Sequence, residues 1–187
     1  MKTVKIILLT SLAAILFGCG ASQKIKEPNA ELDQLMTQQT FEIKIRTAEP
    51  LVTQALAQVA NSGMLPPGNT ISRIDVNGSG FFIKVEGDSV SANLPYYGEQ
   101  QMGGGYNANT GIKFDGLSKN MQIVKDETKQ GYLVKFSIDS SAEVFGVTVA
   151  VNNNLSSSTS INSSHRNRIR YTGTIISPEQ SLLNSAK

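Results

Sequence analysis

From Phe41 to Ile175 turn-forming residues cut the chain into short runs in which apolar and polar side chains alternate. A period of two puts successive side chains on opposite faces of an extended strand, so each run can bury one face and wet the other. Phe41-Glu42-Ile43-Lys44-Ile45-Arg46 is the clearest case. Further runs lie at Ile71 to Val76, Phe81 to Val85, Val90 to Leu94, Gly111 to Phe114, Met121 to Val124, Tyr132 to Ile138, Val144 to Val151 and Asn167 to Ile175. Asn77-Gly78 suits the positive backbone angles of a tight hairpin and is expected to join the runs on either side of it. Glu86-Gly87-Asp88, Gly116, Asp126 to Gly131 and Asp139 to Ala142 punctuate the others, and Pro95 stops its run because proline has no N–H for a ladder. Roughly nine or ten strands at this spacing predict a mainly β fold, either an antiparallel sandwich or a barrel-like meander.

Val144 to Val151 is apolar at most positions and reads as a central strand. Asn152 to Ser164 is nearly all Asn, Ser and Thr, yet Leu155, Ser157, Thr159 and Ile161 would share one face of an extended chain, so a polar strand is expected there. Two short N-terminal helices complete the expectation. Ala30 to Gln39 carries Leu32, Leu35 and Met36 on one face, and Leu51 to Asn61 spaces Leu51, Ala55, Leu56 and Val59 three and four apart before Ser62-Gly63 and the stiff Pro66-Pro67-Gly68.

The N-terminal residues set an address. Lys2 and Lys5 precede an apolar stretch, Ile6 to Phe17, that is too short to span a bilayer, which takes about 20 residues. Gly18 and the only cysteine, Cys19, follow. This resembles the bacterial lipobox, in which the thiol is lipidated and the peptide is cut just before it. Several acyl chains, at about 0.8 kcal/mol per buried methylene, make a stable anchor. Cys19 is therefore the expected lipidation site. An acylated thiol serves neither as nucleophile nor as half of a disulfide. The expected organisation is a signal peptide over 1–18, a lipidated cysteine and flexible tether over 19–30, one β-rich domain over 31–176 and a C-terminal tail over 177–187. Gly20 to Glu27 is polar without an acidic cluster, which places the tethered domain in the bacterial cell envelope, on the outer membrane facing the periplasm.

Without Lys2 and Lys5 the basic side chains equal the 15 acidic ones, so the mature chain has no nucleic-acid charge signature. About 165 residues suffice for one core. The expected partner is the membrane, through the lipid on Cys19, with an envelope glycan, lipid or protein beyond it.

Gly87-Asp88-Ser89-Val90, Leu94-Pro95-Tyr96-Tyr97-Gly98, Gly103-Gly104-Gly105-Tyr106, Gly111-Ile112-Lys113-Phe114 and Ile169-Arg170-Tyr171-Thr172-Gly173 follow one another in an order that resembles the small Bacteroidetes lipoproteins grouped as domain-of-unknown-function family 4251. The resemblance runs from about Leu35 to Ile175. It implies the same address and fold and carries over no catalytic residue.

Three surfaces are candidates for function. The Pro95 to Thr110 loop is long and glycine-rich, and Tyr96, Tyr97 and Tyr106 could stack on a flat ligand or simply pack on the sheet edge. Its Gly103-Gly104-Gly105 lacks the following helix and the Lys-Ser/Thr pair of a phosphate cradle. Arg166, Arg168 and Arg170 recur every second residue, so a strand would present all three on one face to phosphate or carboxylate, or pair them with acids on the neighbouring strand. His165 is the only histidine and the first general base to test; a hydrolase reading needs Asp88 or Asp115 beside it, although both adjoin glycines and read as turn formers. No nucleophile elbow accompanies it, and one histidine without a free thiol offers little to a metal. The catalytic, metal and cofactor sets are accordingly expected to be empty, and the function expected is non-catalytic binding or scaffolding.

Overall fold

A computed structural model of the chain describes residues 27–62, 67–102, 111–140 and 143–185. The expected signal peptide, Cys19, Pro66 and the Gly103-to-Tyr106 block lie outside these residues.

The order of elements is α1 (Ala30–Gln38), β1 (Thr40–Pro50), α2 (Gln54–Asn61), β2 (Ile74–Asp75), β3 (Phe82–Glu86), β4 (Ser89–Leu94), β5 (Ile112–Leu117), β6 (Lys119–Asp126), β7 (Gly131–Ser140), β8 (Glu143–Val151), β9 (Ser156–Ser163), β10 (Ile169–Ile176) and α3 (Pro178–Ser185). All ten strands form one antiparallel sheet in the order β5-β4-β3-β1-β10-β9-β8-β7-β6, with β2 added to β1. Both ends of that path are consecutive in sequence. β5 pairs with β4 and β6 with β7, and Ser118 alone separates them. The two strands are one bent chain that leaves one edge of the sheet and joins the other, so the sheet curls into a nearly closed barrel. Of the two architectures expected, the barrel-like meander is the one formed.

The alternation read from the sequence sets the inside. Phe41, Ile43 and Ile45 of β1, Ile83 and Val85 of β3, Val147 and Val149 of β8 and Tyr171 and Ile175 of β10 are all buried. Phe114 meets Phe136 edge-on at 6.4 Å between centroids and Phe145 at 5.7 Å. The polar strand β9 forms as expected, and Ser157, Thr159 and Ile161 point into the core. Gly173 pairs with Ile45 where β10 crosses β1 so closely that a Cβ would overlap the carbonyl of Lys44.

α1 closes one pole of the barrel. Asn29 caps it, its Oδ1 accepting from the amides of Glu31 and Leu32, and Leu32, Leu35 and Met36 are buried. Asp33 accepts from the Tyr132 hydroxyl at 2.7 Å and from Lys125 Nζ at 3.0 Å. Those bonds, the tyrosine's first, hold its carboxyl below the ordinary value. At the opposite pole lie the end of β1 at Pro50, the end of β4 at Leu94, the start of β8 and the segment Ser163 to Ile169.

Three local expectations are corrected. Asn77-Gly78 does not make a hairpin: β2 pairs with β1 at Thr47 and Ala48, and β3 pairs with β1 at Thr40 to Lys44. Both run antiparallel to β1, hence parallel to each other, because the long β1 offers one edge to two short strands in succession. Gly116 is not the turn between β5 and β6 but a member of β5, opposite Val90. The segment expected as a C-terminal tail is helical over Pro178–Ser185. Ser177 caps that helix, its Oγ accepting from the Gln180 amide, and Pro178 takes a first-turn position where a missing N–H costs nothing.

Candidate functional site

The pole opposite α1 gathers most of the residues singled out in the sequence. Residues 96–102 are docked there along the segment that enters β10. The amide of Asn167 donates to the Glu99 carbonyl, that of Gln101 donates to the His165 carbonyl at 2.7 Å, and Gln100 and Arg166 form a β-bridge. Tyr96 is half-buried, and its hydroxyl donates to the carbonyls of Glu99 and Asn167 at 2.8 and 3.0 Å. Its ring lies 5.3 Å from the Arg166 guanidinium carbon, and burial raises its pKa. Tyr97 is also half-buried and leans on the core. Tyr96 and Tyr97 therefore pack the sheet edge. Tyr106 lies outside the described residues.

Arg166, Arg168 and Arg170 do not share one strand face. β10 starts at Ile169, so only Arg170 stands in it. Arg166 turns inward; its side chain is 7% exposed against 14% for Glu143. Its Nε donates to both Glu143 carboxylate oxygens, at 2.9 and 3.2 Å, and its Nη1 donates to the Gly111 carbonyl at 3.0 Å. Glu143 also accepts from the Ser163 hydroxyl. Removing one partner of so buried a pair strands the other's charge, and the pair joins the starts of β5, β8 and β10.

Arg168 and Arg170 are exposed and open onto a cavity of about 200 Å³ completed by Glu49, Pro50, Leu51 and Ser72. Arg170 Nη1 is 4.0 Å from Glu49 Oε2, the outer limit of an ion pair. Arg168 makes no ion pair or side-chain hydrogen bond among the described residues. Two guanidinium forks, one carboxylate and the Ser72 hydroxyl give the pocket a net positive charge and a surplus of donors, which suits an anionic group.

His165 is half-buried, with Nδ1 2.8 Å from the Ser164 hydroxyl. Its side-chain hydrogen bond is with Ser164 and not with either aspartate. Asp88 sits in the turn before β4, at the far end from Leu94, roughly 20 Å along the strand at about 3.3 Å per residue. Asp115 is on β5 opposite Ser91 in the middle of β4. Among the described residues no hydrogen bond or ion pair joins His165 to either aspartate.

Two sites escaped the sequence reading. Glu143 carries no local signal, since its partner lies elsewhere in the chain. A larger concavity surrounds Phe82, whose ring is only half-buried, and its alternation reads like that of any half-wet strand. Among the described residues no cluster of His, Cys, Asp and Glu is placed to hold a metal ion, and no helix is long and apolar enough to cross a membrane.

A family model described as a domain of unknown function, DUF4251, matches residues 23–175, which takes in every strand but for the last residue of β10. No curated protein matches the chain.

Proposed function

The chain belongs to the DUF4251 family, and from that premise we propose that it is a binding module, tethered to the bacterial cell envelope through lipid on Cys19, that captures an anionic group without transforming it. The observation that carries this is Arg168, a guanidinium without an ion-pair or hydrogen-bond partner among the described residues, set beside Arg170 in an open pocket. Arg166 and Tyr96 on the same pole are, by contrast, committed to structure.

The pocket's place fits a tether. The described chain begins at Glu27 beside α1, so the tether would join the domain at the pole opposite the arginine pocket. The eleven residues from Cys19 to Asn29 reach at most about 35 Å when extended. A domain held this way presents Arg168 and Arg170 away from its own bilayer, toward acidic polymers or proteins of the envelope.

Cell fractionation and cosedimentation test both halves. Wild-type protein is expected with the membranes and Cys19→Ser in the soluble fraction; a membrane-bound Cys19→Ser would sink the anchor. Full-length protein in detergent is expected to sediment with carboxylate-bearing cell-wall sacculi more than with phosphatidylglycerol vesicles. Charge-assisted bonds contribute about 1.5 kcal/mol or more each, so the double change Arg168→Ala, Arg170→Ala should weaken binding at least about tenfold. Binding that the double variant retains would remove the pocket from the account.

A further inference from the structure

The outer face of the barrel holds a second, larger concavity that involves neither the arginine pocket nor the tyrosine loop. A cavity of about 610 Å³ runs over the outward face of β1 and β3. Its walls include Glu42 and Lys44 from β1, the Asn77-Gly78 turn, and Ser181 of α3, whose hydroxyl donates to Glu42 Oε2 at 2.5 Å. A neighbouring cavity of about 470 Å³ continues over β4 and β5, past Ser91, Lys113 and Asp115. Phe82 lines both. It faces outward in the alternation of β3, while Ile83 and Val85 on either side of Lys84 are buried.

We propose that this groove is an oligosaccharide-binding site with Phe82 as its stacking platform. The four strands it crosses are adjacent in the order β1-β3-β4-β5. Three gaps of about 4.8 Å give a length of about 14 Å, room for several pyranose rings. An apolar ring at the centre, with polar side chains on both flanks, matches a sugar, which has an apolar face and a rim of hydroxyls. The rim groups here are mixed. Lys44 and Lys113 donate, Glu42 and Asp115 accept, and Ser91 and Asn77 do both, so hydroxyls that are donor and acceptor at once find partners throughout.

The charges decide between occupants. Two lysines and two carboxylates cancel, which distinguishes this groove from the arginine pocket and selects a neutral ligand. An acyl chain would strand those four charges against hydrocarbon. A peptide strand adds to an open sheet edge, whereas β1, β3 and β4 are paired on both sides and offer only side chains.

The absence of tryptophan from the chain provides the test. Phe82→Trp creates a single indole at the platform, and its emission reports stacking directly. Full-length protein, kept in a detergent without a sugar headgroup, is titrated with cellotetraose and with chitotetraose. A saturable blue shift with at least one of them, with Kd at or below about 1 mM, is expected. In wild-type protein, saturation-transfer NMR should show the same ligand bound. Phe82→Ala or Asp115→Ala should weaken it at least about tenfold, while the double change Arg168→Ala, Arg170→Ala leaves it intact. Asp115 is exposed, so its replacement reads out binding even if Phe82→Ala folds poorly. Three results would overturn the site: no saturable shift with either sugar, binding indifferent to both substitutions, or an equal shift with an uncharged strand-forming hexapeptide. None of these touches the arginine pocket, whose own test stands apart.

Discussion

Arg166 ties three parts of the chain together: its guanidinium donates to the carboxylate of Glu143 at the start of β8 and reaches the carbonyl of Gly111 ahead of β5. Arg166→Ala should therefore cost about 3 kcal/mol, because it leaves Glu143 charged and largely buried. Replacing both by apolar residues, Arg166→Leu with Glu143→Leu, removes the stranded charge and should cost less than the two single changes added together. Urea midpoints for the four proteins in this cycle measure the coupling, expected at about 1 kcal/mol or more. Single changes that each cost under about 0.5 kcal/mol and simply add would show the pair to be a surface contact. The spacing of Arg166, Arg168 and Arg170 hid this role. Period two is real evidence for a shared face only where all three residues lie in one strand, and the bonds between Glu99 and Asn167 and between Gln101 and His165 delay β10 until Ile169.

At the scale of elements, β9 shows how far alternation alone can be read. Ser157, Thr159 and Ile161 share the inward face foreseen from the sequence, although two of the three are polar. The Oγ of Ser157 and the Oγ1 of Thr159 are buried without a partner among the described residues. An unsatisfied buried hydroxyl costs about 1 to 3 kcal/mol, and valine has nearly the shape of threonine. Thr159→Val should thus raise stability by about 1 kcal/mol, seen as a higher midpoint in thermal or urea unfolding. A lower midpoint would mean that the hydroxyl bonds a water inside the barrel. Strand existence, most boundaries and the apolar face of α1 were legible because each rests on neighbours in sequence. The pairing of β2 was not: Asn77-Gly78 fits a hairpin locally, and only the length of β1 makes two successive partners on one edge the better solution. The helix Pro178–Ser185, expected as a tail, has its signal in Ser177-Pro178-Glu179-Gln180, a capping sequence with proline in the first turn that the tail reading passed over.

The molecule as a whole has an axis, and the axis gives the proposed tether a consequence. α1, the β6-β7 turn and the β8-β9 turn occupy one pole, joined by Asp33 to Lys125 and Tyr132 and by the Asn29 amide to the Asn153 carbonyl. Pro50, Arg166 and the arginine pocket occupy the other. A strand of eight to eleven residues, such as β10 or β1, separates the poles by roughly 30 Å, about the full reach of the tether, so inverting the domain would stretch that segment to its limit. Lipid on Cys19 leaves no other thiol in the chain, and an introduced cysteine can carry a fluorophore alone. Glu127→Cys marks the turn beside α1, and Arg168→Cys marks the far pole; both positions are exposed. In vesicles holding the lipidated protein, a headgroup-attached nitroxide should quench the label at 127 strongly and the label at 168 weakly. The contrast should disappear when the tether is doubled in length with a Gly-Ser insert, because the domain can then tumble. Equal quenching with the native tether would mean that the arginine pocket meets its own membrane, and anionic lipid would replace the acidic polymer as the group it captures.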